Sequence, residues 1–489
     1  MLRKIIKLSI DNKLIILLMT LVIIGFGLFS VTQIPIGAVP DITNNQVQVI
    51  TTSQNLSTQD VEQFITYPVE LEMANLPGVI EIRSISKFGL SVVTIVFEDK
   101  IGTYLPRQLI AEKIKTASEK IPIDFGIPAM GPITTGLGEI YQYTLDTKPG
   151  YKDKYTAMEL RTIQDWVVKR QLSGIPGVVE VNTWGGYLKQ YEVALNPEKL
   201  KSMNISHAEI LDAIENNNSI AGGGYIEKAN ESFFVRGEGS IKSLDDIENI
   251  VIKNVEGVPI LIKHVAEVNF GHANRFGAIT GNGEGEKVLG QVMMLKDGDS
   301  NKVIEAVKLR VEEIQRTLPE GVFINGFLER SELISKTTFT VAENLILGII
   351  IVVFVVILLL GSFRSGIVVA SVIPLALLFT LSMMYIFGID ANLMSLGAID
   401  FGLIVDGAVI VVEATLHIFS RHYKSNILSQ NQMDKEVIKS SSKIMSSAIF
   451  GQIIILIVYI PLFVLSGVEG KMFMPMAQTV SFAIVGALI

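Results

Sequence analysis

The chain has 489 residues, 49% of them hydrophobic, a net charge of −8 and no cysteine. Its mean hydropathy of +0.44 is too high for an ordinary soluble enzyme of this length and points to a membrane protein. The acidic balance speaks against a nucleic-acid partner. The absence of thiols excludes disulfides and cysteine catalysis, and five histidines without an HxH or HExxH pair leave a zinc enzyme without its usual ligands.

In chain order, the first element is the apolar run at 14–31, LIILLMTLVIIGFGLFSV, preceded by Arg3, Lys4, Lys7 and Lys13. It is longer than a signal-peptide core and no small-residue cleavage site follows, so it reads as an uncleaved span. A polar region then extends to roughly residue 340, and apolar runs return at 345–360, 366–387, 396–418, 444–465 and from 474 onward. That predicts six spans. Arg364, Arg421, Lys424, Lys435, Lys439 and Lys443 fall on the same side as the basic N-terminus, and positive charge marks the cytoplasmic side. The N-terminus is then inside, the large domain is outside, and 420–442 forms a polar cytoplasmic linker.

The external domain repeats itself. NLPGVIEIRSISKFGLSVVTIVFEDK (75–100) and GIPGVVEVNTWGGYLKQYEVALNPEKL (174–200) each give a turn, PGV and alternating strands, and a helical stretch precedes each, at 57–75 and 156–174. Ser57 with Asp60 resembles a capping box that has Asp in place of Glu or Gln. A third helix–strand unit is NKVIEAVKLRVEEIQRTLPEGVFINGF. The pattern predicts two or more βαβ-type α+β subdomains. GNGEGEKVLG (281–290) lacks the GK[ST] ending of a phosphate loop and reads as a hairpin turn. AGGGY (221–225) reads as a loop that could touch a neighbouring subunit.

The chemistry concentrates in GAIDFGLIVDGAVIVVEA, residues 397–414, which is apolar or glycine except for Asp400, Asp406 and Glu413. At about 100° and 1.5 Å per residue, Asp406 and Glu413 share one helix face about 10 Å apart in depth. Asp400 lies about 120° round and about 9 Å nearer the outside. A charged Asp at mid-membrane costs on the order of 2.5–3.5 kcal/mol, too much for a packing role. Paired as structural glue, these acids would need basic partners on other helices. As a relay, their raised pKa would let them load and release protons. An aspartyl protease needs two Asp side chains meeting across a shared water, and carboxylates stacked along one helix do not meet.

IPIGAVPDITNNQVQVIT, the PGV and RSISKFGLSVVTIVFEDK segments, MGPITTGLGEIYQYTL, DFGLIVDGAVIVVEA and GVEGKMFMPMA resemble the resistance-nodulation-division exporters, in their heavy-metal efflux branch of CzcA-type cobalt–zinc–cadmium pumps. The resemblance covers essentially the whole chain. It implies an α-helical membrane protein with a large α+β periplasmic domain of ferredoxin-like porter subdomains. The first porter subdomain would be 36–135, the second 136–180 with 270–330, a docking insertion 181–269, and 331–489 the later membrane helices. It places Asp400, Asp406 and Glu413 at the proton-relay positions. Ala414, where the family usually has Asn, is a departure.

The resemblance further implies an inner-membrane homotrimer working with a periplasmic adaptor and an outer-membrane channel. Proton entry would drive export of metal cations, with no cofactor. A full pump of the family is about twice this length, so this chain corresponds to the N-terminal half. The partner lysine for Asp406 would come from a C-terminal half. Asp406 is followed by Gly407, where drug exporters have a second Asp, which favours metals. Divalent zinc, cobalt or cadmium leads. A copper(I) or silver(I) exporter using Met472, Met474 and Met476 is the alternative, and a non-transporting remnant acting only in assembly is another. Glu139, in GLGEIY, and Asp165 are candidate cleft ligands, the latter otherwise one residue of a solvated helix face.

Overall fold

Alternating sequence at 45–52 and 90–97 gives strands with one face buried. β1 (Asn45–Thr52), β2 (Val79–Lys87), β3 (Leu90–Phe97) and the short β4 (Ala129–Met130) form an antiparallel sheet in the order β2-β3-β1-β4. This computed structural model describes residues 2–489 apart from 38, 55, 229, 276, 297, 400 and 423–428. The helical stretch 58–73 and the helix Tyr104–Lys120 cover one face of the sheet, burying Val61, Ile65, Val69 and Met73 against Val93, Ile95 and Phe97. Ser57 caps the first of these helices, accepting from the Asp60 N–H at 3.3 Å. Asp60 Oδ2 takes the Ser57 hydroxyl at 2.6 Å. Here the carboxylate takes the hydroxyl, whereas Thr156 with Glu159 and Ser243 with Asp246 complete the full reciprocal box at other helix starts.

The second sheet draws strands from distant parts of the chain. β5 (Glu139–Thr147) and β6 (Val178–Trp184) precede a long excursion made of β7 (Lys189–Leu195), β8 (Ser219–Lys228), β9 (Glu231–Gly239), β10 (Val251–Val255), β11 (Val258–Leu261) and β12 (Ala266–His272). β13 (Val288–Met294) and β14 (Val322–Glu329) then return, and the order is β14-β5-β13-β6. In the excursion β7 pairs with β12, β8 with β9 and β10 with β11. Two expected boundaries cut through strands: β6 crosses 180/181 and β12 crosses 269/270. All of β6 belongs to the second sheet because its ladder with β13 runs from Val178 to Trp184. AGGGY is part of β8 and not a loop, because its backbone groups are paired across the hairpin, with a register shift between Gly222 and Tyr225.

In the second sheet two glycines face tyrosines. Gly290 lies opposite Tyr143, and a Cβ there would sit 2.2 Å from the ring. A Cβ on Gly326 would sit 2.4 Å from the Tyr141 hydroxyl. Covering a strand glycine with a cross-strand aromatic ring recovers the packing the glycine lacks. The fully buried Tyr143 hydroxyl donates to Gln164 Oε1 at 3.1 Å, and burial pushes its pKa well above the ordinary phenol range. Gly290→Val displaces the ring and breaks this bond, at a cost of roughly 3 kcal/mol or more. Denaturant unfolding should register that loss, and Gly222→Ala, whose Cβ would meet nothing within 4 Å, should be near neutral. Equal stability of the two variants would contradict the role given to the ring.

Five helical segments among the described residues are long and apolar enough to cross a membrane: Lys13–Gln33, Phe363–Phe387, Leu393–Phe419, Gln430–Val464 and Gly467–Leu488. The sixth expected span falls on the 31-residue helix Arg330–Leu360, whose apolar part is the shorter Ile346–Leu359. Residues 423–428 of the expected linker lie outside the described residues; 420–422 end the helix Phe401–His422, and 430–442 begin the continuous helix Gln430–Tyr459. At one end of the bundle Lys13 pairs with Asp434 at 3.2 Å. At the other, Lys471 Nζ donates to Asp99 Oδ1 at 2.7 Å and to the Thr43 carbonyl at 2.8 Å, and Ile36 pairs with Ala391. Lys471 and Asp390 therefore lie on the side of the large sheet domain, and Lys13 on the other.

Candidate functional site

The acidic helix runs Phe401–His422, about 33 Å at 1.5 Å per residue, which is enough to cross the hydrocarbon. One side is packed: Ile404 and Val405 are 1% and 2% exposed, and Ala408, Val409 and Val412 surround Val356, Val369 and Ile373. The other side is open. Gly402, Asp406, Ile410, Glu413 and His417 are all exposed, and steps of three and four residues align them in one stripe. The seven-residue spacing thus puts Asp406 and Glu413 on a common face, with His417 continuing it. Asp400 lies outside the described residues.

Glycine lets neighbours close in on this helix. A Cβ on Gly348 would lie 2.7 Å from the Phe401 ring, and one on Gly407 would lie 3.1 Å from Gln452 Nε2. Thr415 Oγ1 and Ser440 Oγ, 3.1 Å apart, tie the acidic helix to Gln430–Tyr459 lower down. Gln452 is 4% exposed, and neither of its amide atoms has a hydrogen-bond partner among the described residues. It was not among the residues singled out from the sequence, although a lone amide in FGQIIILIV is a readable signal, since polar groups inside a span are costly.

Glu139 and Asp165 are not brought into a metal centre. Glu139 opens β5 in an exposed position and accepts from Gln142 Nε2 at 3.1 Å. Asp165 is half-buried and accepts from Arg161 Nε at 3.0 Å. It lines a cleft of about 530 Å³ with Trp166, Arg170 and Trp184. Among the described residues no three His, Asp or Glu side chains stand close enough together to hold an ion.

Similarity to known proteins agrees with this architecture. Over its whole length the chain is 44% identical to the cation efflux system protein CzcA of Alcaligenes sp. (strain CT14), covering 46% of that protein. It is 44% identical to the cobalt-zinc-cadmium resistance protein CzcA of Cupriavidus metallidurans, again over 46%. The nickel-cobalt-cadmium resistance protein NccA of Alcaligenes xylosoxydans xylosoxydans is 38% identical, with 48% covered. The X-ray structure of a heavy metal efflux pump superposes with a TM-score of 0.89 at 36% identity, over 99% of this chain and 47% of that one. The chain spans about half the length of the curated relatives it matches. Residues 5–489 match the AcrB/AcrD/AcrF family description. With the two four-stranded sheets between the first membrane helix and the later ones, and with carboxylates striping a membrane helix, the chain belongs to the AcrB/AcrD/AcrF family, in the heavy-metal efflux branch of the resistance-nodulation-division exporters.

Proposed function

We propose that this chain forms the N-terminal part of a proton-driven secondary transporter that exports divalent heavy-metal cations across the inner membrane of a Gram-negative cell. It acts as a transporter and not as an enzyme. The observation that carries the reading is the open stripe of Asp406 and Glu413 on a helix otherwise built for lipid or packing. A carboxyl group at that depth changes the charge of its helix each time it takes or gives a proton. That change can bias one helix arrangement over another.

Orientation follows from the basic ends. Arg3, Lys4 and Lys7 on the N-terminal helix Leu2–Asp11, with Lys435, Lys439 and Lys443 at the start of the long helix, support a cytoplasmic position for that side and a periplasmic one for the sheets. The assembly we propose is a homotrimer with a periplasmic adaptor and an outer-membrane channel. The hairpin β8–β9 supports self-association. Every described residue of it is exposed, including Ile220, Tyr225, Ile226, Phe233 and Phe234, and exposed aromatic and aliphatic side chains gathered on one hairpin favour burial against a partner.

For the cargo, divalent zinc, cobalt or cadmium is favoured by the relatives named for cobalt, zinc, cadmium and nickel resistance. In a host stripped of its own exporters, the intact pump containing this chain should raise tolerance to zinc, cobalt or cadmium salts. Protection against copper or silver alone would overturn the divalent assignment.

A further inference from the structure

The N-terminal helix Leu2–Asp11 is separate from the span that follows it. Asn12 divides the two, with φ −114° and ψ 54°. Its backbone N–H and its side-chain Nδ2 both donate to the Leu8 carbonyl at 3.0 Å, and its own carbonyl accepts from the Ile15 N–H at 3.0 Å. One residue thus closes the first helix and opens the next. The span Lys13–Gln33 is about 30 Å long, the thickness of the hydrocarbon. The N-terminal helix adjoins its end away from the sheets, where Lys13 pairs with Asp434. That end of the bundle is the membrane surface.

At about 100° per residue this helix has three faces about 120° apart. Ile6, Ser9 and Ile10 are half-buried and belong to the side packed against the helix Gln430–Tyr459. Ile5 and Leu8 form the second face and are 55% and 64% exposed. Arg3, Lys4 and Lys7 form the third and are exposed. A helix lying flat beside the bundle at the membrane surface meets three surroundings in the same arrangement: protein, acyl chains and headgroups. The third face is not spent on the protein. Among the described residues Arg3, Lys4 and Lys7 make no ion pair or hydrogen bond, and Asp11 is the one acid of the helix. On the neighbouring helix Lys435, Lys439 and Lys443, at steps of four, add an exposed cationic stripe at the same end of the bundle.

We propose that this helix is a binding site for anionic phospholipid, with Arg3, Lys4 and Lys7 on the phosphate groups and Ile5 and Leu8 among the acyl chains. The two free faces together select that chemistry. A soluble anion would meet the cations and leave Ile5 and Leu8 in water. A zwitterionic lipid would cover the apolar face and leave the cations without a net counter-charge. A lipid with a negative headgroup meets both. The Arg3 guanidinium can fork two phosphate oxygens, and the Lys4 and Lys7 ammonium groups act beside it as point charges. Cationic clusters of this kind beside a span draw anionic headgroups, and salt weakens the attraction. Bound lipid would hold the helix at the surface and so fix the depth of Lys13–Gln33, and through the Lys13–Asp434 pair that of Gln430–Tyr459. The inference rests on the membrane reading of these helices and not on the relay reading of Asp406.

Lipid titration of the purified chain in detergent tests the headgroup choice. Phosphatidylglycerol and phosphatidylcholine with the same dioleoyl chains are added, and bound lipid is counted by mass spectrometry of the intact complexes. Wild type should bind phosphatidylglycerol on the order of ten-fold or more tightly than phosphatidylcholine at low salt, with the preference shrinking as salt is raised. Arg3→Gln, Lys4→Gln and Lys7→Gln together should remove most of that preference and leave phosphatidylcholine binding unchanged. Lys199→Gln, Lys201→Gln and Lys228→Gln together neutralise three exposed lysines in the excursion of the large domain and should keep it. Equal binding of the two lipids by wild type overturns the proposal. So does a preference undiminished by the changes at 3, 4 and 7, or one lost equally in both triple variants.

The absence of cysteine gives a second measurement that stands even if the triple variant fails to insert. Leu8→Cys and Lys4→Cys, each carrying a nitroxide spin label, are placed singly in phosphatidylglycerol vesicles. Collisions with oxygen, which concentrates in lipid, are compared with collisions with a neutral nickel chelate, which stays in water. The label at 8 should favour oxygen and the label at 4 the chelate. A label at 8 reached mainly by the chelate puts that face in water, and one reached by neither puts it under protein. Either outcome removes the lipid site while leaving the relay reading of Asp406 in place.

Discussion

Asp406→Asn should abolish proton-coupled metal transport while leaving the protein folded and inserted. The amide has the size of the carboxyl, and position 406 is exposed on its helix, so the exchange changes no volume in the packed core. What is lost is the ability to bind a proton and to change charge. Burial of the opposite side, on Ile404 and Val405, is untouched, so the expected change in stability is small. The proton-coupled rate should fall to background. Glu413→Gln should be milder, because Glu413 lies two turns closer to the end of the helix that points away from the sheets. Asp400→Asn is expected on sequence grounds to be nearly as severe as Asp406→Asn. Purified pump in proteoliposomes with a pH-sensitive dye reads the outcome, and normal metal-driven proton flux from Asp406→Asn would reject the relay.

The second large effect concerns residues 1–489 expressed by themselves. They should confer no metal tolerance. The stripe of Gly402, Asp406, Ile410, Glu413 and His417 is exposed, and an ionised carboxylate in mid-membrane costs on the order of 2.5–3.5 kcal/mol. Working antiport needs this face covered by a surface that stabilises the charged state and can be released on protonation. Relatives of about twice this length carry further sequence able to supply it. The clefts of the large domain likewise assemble no set of cation ligands among the described residues. Co-expression of a matching C-terminal half should restore tolerance. Tolerance from residues 1–489 alone, in a host without its own exporters, would show that this part carries a complete path.

Much of this was readable from local pattern. Ser57 and Thr156 mark helix starts because a hydroxyl before a helical run caps it wherever it lies in the fold. Alternation at 45–52 and 90–97 gave strands because the period of two is a property of the chain. The pairing partners were not readable. β5 lies between β13 and β14, whose residues are more than 140 positions away, and no local pattern encodes which distant edge meets which. AGGGY was misread for that reason: three glycines suggest a loop, and only the facing strand Glu231–Gly239 makes them a hairpin arm.

The same division runs through the functional site. The sequence by itself determined that three carboxylates enter an apolar span and that Asp406 and Glu413 share a face, because helix geometry fixes both once the helix is granted. Only the tertiary structure decided which face that is. The packing of Ile404 and Val405 against neighbouring helices turns the acids to the open side, and nothing in the spacing dictates it. Tertiary packing also gave Gly407 its meaning. In the sequence it is the residue that follows Asp406. In the fold it is where the helix Gln430–Tyr459 comes close enough to bring a buried amide against the acidic helix. Which side chain fills the space left by a missing Cβ depends on the crossing of two helices, and that crossing is set by all of their contacts together.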